Sequence, residues 1–355
     1  MSKLWSWLRA RLSTLVAWVL SAGATLVAFE ICQNSIDATQ AALPYTYYRW
    51  LGPAALAAVI VLAALLTREL LNRHSHDEEG EAQAFAHAVL AHARRLHRDH
   101  RHTALLRLRG DESLRLHVLG RHEERRELGD LALQSAGALN RDLDKAAILI
   151  DDLGWANYLL GDTQTALANM AKGTSIAENV RRTTRVGHPD YQDASILEAR
   201  GIRHQAVIGA AGNNGPIDRW ISDLDNAQKL LTNDDWQHEN IIRQEIAQIH
   251  HSRAFATVSY LGVNRSGTIS PTDTEGRSRA AGALESLRKA EKIFRKLSDD
   301  SRLPKVYLLR TRVLEALGDS IDAKASKALA EQSLRASPWA EPDGIQSILG
   351  PSKKQ

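Results

Sequence analysis

Cysteine is almost missing from this chain of 355 residues: Cys32 is the only one, which excludes an internal disulfide. No lipobox-like pattern leads up to it, since Phe29, Glu30 and Ile31 stand there. Sheet-forming stretches are missing too. No continuous run alternates β-branched and polar residues, there are four phenylalanines, and alanine, leucine and arginine are abundant. That balance favours helix over strand, so the expected fold class is all-α. Catalytic signatures are equally scarce. There is no phosphate-cradling GxxxxGK[ST], no GxSxG elbow and no HExxH pair. Histidines crowd residues 74–122, with His97 and His100 three apart, but no acid or cysteine completes a ligand set. We therefore expect no enzyme, no cofactor and no metal. The formal charge of +3 is close to balance and selects no partner by itself.

Two long uncharged runs are present. Leu12–Phe29 and Trp50–Thr67 contain 18 residues each, about 27 Å as helices and near the thickness of a bilayer core. Both are apolar all round. Trp5 and Trp7 precede the first; Tyr45, Tyr47, Tyr48 and Trp50 lead into the second. Lys3, Arg9 and Arg11 lie before the pair and Arg68 and Arg73 after it, whereas the loop 30–49 has only Arg49 against Glu30 and Asp37. The positive-inside rule puts 1–11 and everything after 67 in the cytoplasm. The expectation is an integral protein, for example of a bacterial inner membrane, with a transmembrane hairpin over 12–67. A signal peptide is the rival, with a cleavage site near Ala22–Ala24, but the apolar run continues past that site. Small residues recur on both runs, such as Ser13, Ala17, Ser21, Ala24 and Ala28 on the first. They allow close packing within one hairpin or assembly of hairpins into a homo-oligomer.

After Arg68 the chain turns polar. Residues 68–80 read as a linker, 81–337 as a helical body, and 338–355, with Pro338, Pro342 and Pro351, as a flexible tail. Arg94, Arg95, Arg98 and Arg101 crowd the end of the first helix. They form a candidate patch for anionic lipid headgroups; the bland alternative is a solvated face with acid–base pairs.

The segment 146–178 reads as a helix, a turn at Gly161-Asp162 and a second helix. Ile150, Leu153-Gly154 and Tyr158 precede the turn; Ala166, Met170 and Gly173 follow it. The segment resembles a tetratricopeptide repeat, in which an aromatic, a Leu-Gly pair and small crossing residues hold similar places. It departs from the pattern too. Ile150 stands at the usual aromatic position, Tyr158 comes one place late behind Asn157, and Gly173 replaces the second alanine. The stretch 306–338 resembles it again around Gly318-Asp319. Small residues at 136, 173, 227, 290 and 330 recur at intervals of 37, 54, 63 and 40, longer than the family's period of about 34. The longer intervals suggest inserted turns at 209–216 and 262–276. The expected body is an irregular, right-handed α-solenoid.

The resemblance implies a curved inner face that takes an extended peptide or helix of a protein partner. Asp151, Asn157, Arg200, Arg203, His204, Arg243 and Arg310 are candidates to line it, and their charge suits an acidic partner. The expected function is a membrane-anchored scaffold. Two other readings stay open. One is a membrane-perturbing effector whose hairpin oligomerises under control of the repeat body. The other is an RNA-associated protein; with no aromatic interleaving or recognised motif, nucleic acid is not an expected partner.

Overall fold

The computed structural model describes residues 79–212, 215–232, 239–262 and 268–336. Both apolar runs, the loop between them, nearly all of the linker, Cys32 and the tail lie outside these residues. Among the described residues no helix is long and apolar enough to cross a membrane. The chain divides into two compact units, Met1–Glu81 and Ala82–Gln355, and the helices named here belong to the second.

That unit is all-α, with no strand among its described residues. Residues 82–98 form α1. Then come α2 (His102–Val118) and α3 (His122–Ala138). Helix α4 is one rod of three segments, Asp142–Ala147, Ile148–Gly154 and Trp155–Leu159, the middle one wound as a π-helix. They are followed by α5 (Thr163–Thr183), α6 (Pro189–Ala211) and α7 (Ile217–Leu230). The last four are α8 (Glu239–Tyr260), α9 (Thr274–Lys296), α10 (Leu303–Leu317) and α11 (Ser320–Ala336). Consecutive helices pack on one another, and α4, α6, α8 and α10 also touch in order. The arrangement is compatible with a helical-repeat solenoid.

One turn chemistry builds the first half. His100, Gly120, Asn140 and Gly161 all have positive φ and stand 20 or 21 residues apart. After each, the next amide donates to the carbonyl five residues back: Arg101 to Leu96, Arg121 to Leu116, Arg141 to Ala136 and Asp162 to Asn157, at 2.8–3.0 Å. This is the Schellman closure, which satisfies helix-end carbonyls and reverses the chain within three residues. Ser298 and Gly318 repeat it with Asp299 and Asp319. The following helix starts cleanly where an acid stands first. Asp162 accepts from the Thr165 amide at 3.0 Å, and Asp319 from the Asp322 amide at 3.1 Å.

Close crossing explains the small residues of the 146–178 segment. A Cβ on Gly154 would lie 2.6 Å from Met170 Cγ, and one on Gly173 would lie 2.8 Å from Ile150 Cγ1. Ala166 and Met170 are fully buried with Ile208, so α4, α5 and α6 share this contact. The supposed turn at 209–216 begins later than expected. Gly209 to Ala211 are still helical, and Gly209 is needed because the Trp220 ring of α7 occupies the space of its missing side chain. The loop before α9 returns to the body: the Ile269 amide donates to the Ala316 carbonyl at 2.8 Å.

Candidate functional site

The π-wound segment Ile148–Gly154 is where the body departs from regular helix. Ile148, Leu149, Ile150 and Leu153 anchor it in apolar packing. Between them stand Asp151 and Asp152, adjacent acids in a stretch with no base within four residues. Their partners must therefore come from other helices. Single-turn π segments are frequent at functional sites because the extra residue re-aims side chains.

Asp152 is 1% exposed and meets α2 and α3. Arg109 Nε donates to its Oδ2 at 2.5 Å, and the Ser113 hydroxyl donates to Oδ1. Arg125 Nε donates to Oδ1 at 3.3 Å and to Ser113 Oγ at 3.0 Å. Its Nη2 donates to the Asp151 carbonyl at 2.8 Å. Asp151 turns the other way. Its Oδ2 accepts from Arg200 Nη1 of α6 at 2.7 Å. Arg200 Nε then donates to Glu245 of α8 at 3.2 Å, and Arg203 Nε donates to the other Glu245 oxygen at 2.5 Å. Three carboxylates and four guanidiniums thus form one ionic string across α2, α3, α4, α6 and α8.

Burial alone would raise the Asp151 and Glu245 pKa values. The arginine charges more than offset it, Arg200 for Asp151 and Arg203 with Arg200 for Glu245, so both carboxyls lie below their usual range. The Asp151 charge raises the Arg200 pKa in return. His204 packs its ring on Trp155, with centroids 4.8 Å apart, and Trp155 lies 5.4 Å from Tyr158. Burial first, then the Arg203 charge, lower the His204 pKa to about 3. His251 is lowered to about 3 by burial and then by Lys305. Both imidazoles are neutral at pH 7.

These groups wall a cavity of about 760 Å³. Its lining comes mainly from alternate helices, α2, α4, α6, α8 and α10, with Arg125 from α3 and Phe294 from α9. Trp155, Tyr158, Phe255 and Tyr260 give it flat apolar surface; Arg302 and Lys305 add charge from the start of α10. Its volume falls in the range of small-molecule pockets. Among the described residues, no three His, Cys, Asp or Glu side chains converge to hold a metal ion.

No family model, curated protein or solved structure matches the chain.

Of the candidates for the inner face, Asp151, Arg200, Arg203 and His204 come together on the cavity wall. The other three lie elsewhere. Asn157 is 4% exposed and packed within α4. Arg243 pairs with Glu239 one turn away, and Arg310 reaches Glu291 at 3.5 Å. In the proposed lipid patch, Arg94 forms a two-pronged pair with Glu127 at 2.6 and 2.8 Å, and Arg95 lies 3.8 Å from Asp99. Arg98 and Arg101 are exposed at the α1–α2 turn. Arg109, Arg125 and Glu245 escaped sequence reasoning. The missed signal is the Asp151-Asp152 pair itself, since two acids in AAILIDDLGWA demand distant bases.

Proposed function

We propose that this chain is a membrane-anchored helical-repeat scaffold of the tetratricopeptide type, which recruits a protein partner at the cytoplasmic face of a membrane. The observation that carries the reading is the cavity shared by alternate helices. In a stacked repeat body those helices form the inner face, where partners bind. The two uncharged runs of the sequence supply the anchor, and anchoring raises the local concentration of whatever the body holds. The role is binding; no bond-making step is assigned to any residue.

Leu114 is the handle for a test. It lines the cavity yet is 61% exposed, so Leu114→Arg should leave the fold intact. Tagged full-length protein is captured from detergent extract beside this variant. A protein that co-elutes with the natural chain and is lost with Leu114→Arg is expected. Identical co-eluting sets, or a chain that stays in the detergent-free supernatant after high-speed centrifugation, would overturn the reading.

The ligand-sized cavity favours a second reading, a membrane effector in which the body senses a small signal and the hairpins assemble. Expression of the full chain would then depolarise cells, whereas a chain starting at residue 76 would not.

A further inference from the structure

We infer that residues 338–349 of this chain fold back into the cavity and cover its apolar end at α8, in competition with any partner. The inference rests on the cavity being the recognition face of the body and names an occupant that the chain itself carries.

The place where α11 ends comes first. Helix α11 runs antiparallel to α10: the Ser326 hydroxyl donates to the Tyr307 carbonyl at 2.9 Å, and Ala330 packs in one cluster with Leu303. Ala336 lies about 9 Å beyond Ala330, on the side where α10 starts. Arg302 and Lys305, at that start, stand on the cavity rim. The chain therefore leaves α11 on the cavity's α10 side.

Reach comes second. Gln244 of α8 donates to Asp299, just before α10, at 3.0 Å, so the first turns of α8 stand beside the same rim. Tyr260 lies about 24 Å further along α8. The stretch from Ala336 to Ile348 spans up to about 40 Å when extended, enough to arrive there. Tethering also holds the stretch at a local concentration of about millimolar, which a free partner must exceed.

The chemistry of the two surfaces decides the occupant. On α4, α6 and α8 the charges of the ionic string stand early, and one or more turns later the lining becomes apolar: Trp155 and Tyr158, Val207 and Ala210, Phe255 and Tyr260. Tyr260 is 48% exposed, and Trp155, Tyr158 and Phe255 are half-buried. Residues 338–349 carry Trp339, Ile345, Ile348 and Leu349, an apolar content that a purely solvated stretch lacks. Gln248 lines the cavity between the two levels, and its amide has no hydrogen-bond partner among the described residues. It offers a donor and an acceptor to an incoming backbone. The competing place is the outer face of α11, but its exposed large apolar side chains are only Ile321 and Leu329, with no ring.

The test is disulfide trapping in detergent-solubilised full-length protein carrying Cys32→Ser, oxidised by copper phenanthroline in air. Tyr260→Cys with Ile348→Cys is expected to close an intrachain disulfide in most molecules. Ile321→Cys with Ile348→Cys, which puts the thiol on the outer face of α11, should close about fivefold more slowly or not at all. Both helix positions are exposed, so the fold is kept, and a cooperative melt checks it. In a chain without these cysteines, Ile348→Asp should speed amide exchange over 255–260 several-fold and leave α3 unchanged. Four results would overturn the inference. The Tyr260 pair stays reduced. The Ile321 pair closes as fast, which puts the segment on α11. The products are mainly dimers whose share grows with protein concentration, which puts a second copy in the cavity. Exchange over 255–260 ignores Ile348→Asp. Leu114 lies on α2, three inner helices away from α8, so the two readings fail separately. If Leu114→Arg still abolishes partner capture in any of these cases, the scaffold reading stands and the self-occupied cavity alone falls. Capture that ignores Leu114→Arg while the Tyr260 disulfide forms has the converse meaning.

Discussion

At Asp152 two arginines and a serine from two other helices share one carboxylate that water hardly reaches. Removing it strands the Arg109 and Arg125 charges in a poorly solvated place, where breaking a buried pair costs about 3–5 kcal/mol. Asp152→Ala should lower the urea midpoint accordingly. The Arg94–Glu127 pair has even better geometry, yet its side chains are 57% and 40% exposed. Glu127→Gln should therefore leave the urea midpoint nearly unchanged in the same assay. Acidity acts on the same cluster. Below pH 6.5, the ordinary histidine value, the unfolded chain takes up protons on His204 and His251. The folded chain resists until about pH 3, so stability falls as pH drops through that window, by about 1.4 kcal/mol per unit for each histidine. Asp151 and Glu245, with lowered pKa values, add to the loss at still lower pH. His250, lowered to about 4 by burial and then by Arg253, contributes in the same window. Thermal midpoints between pH 7 and 4 should show the slope, and His204→Gln should reduce it by about a third. At this scale the sequence is half legible. Asp162 and Asp319 read as turn acids and do cap their helices, because capping is local. Asp151 reads only as an acid in apolar company, because its partner lies 49 residues away.

The elements are more legible than the residues that join them. Gly161-Asp162 and Gly318-Asp319 mark turns in sequence and form them in space, since only a residue tolerant of positive φ closes the helix this way. The 20-residue rhythm of the first four turns is harder to read, because histidine and asparagine fill two of the left-handed places. Gly318 has φ +81 and open space around it, so Gly318→Ala tests backbone strain alone and should cost about 1–2 kcal/mol. Ser298, exposed with φ 53, should behave oppositely: Ser298→Gly relieves strain and raises the urea midpoint slightly. The π-wound segment has no signature in composition or periodicity. It packs against α3 and α5, neighbours that only the folded chain brings to it.

For the molecule as a whole, the all-α class and the pairing of helices follow from alanine- and leucine-rich periodic segments, and the structure has both. Four of seven candidate residues meet at the cavity, but the ionic string that organises them was invisible, because it depends on which helices become neighbours. That string has a consequence for how the body comes apart. Stacked helices ordinarily melt piecemeal, each layer released from its neighbour. Here Arg200 is clasped by α4 on one side and α8 on the other, and Asp152 by α2 and α3. None of α2, α3, α4, α6 and α8 can detach without orphaning a charge in its neighbour. Hydrogen exchange should accordingly report a common opening energy for these helices, with α11 fraying separately. A body that opens all at once presents its cavity either whole or not at all, which gives it the abruptness of a latch.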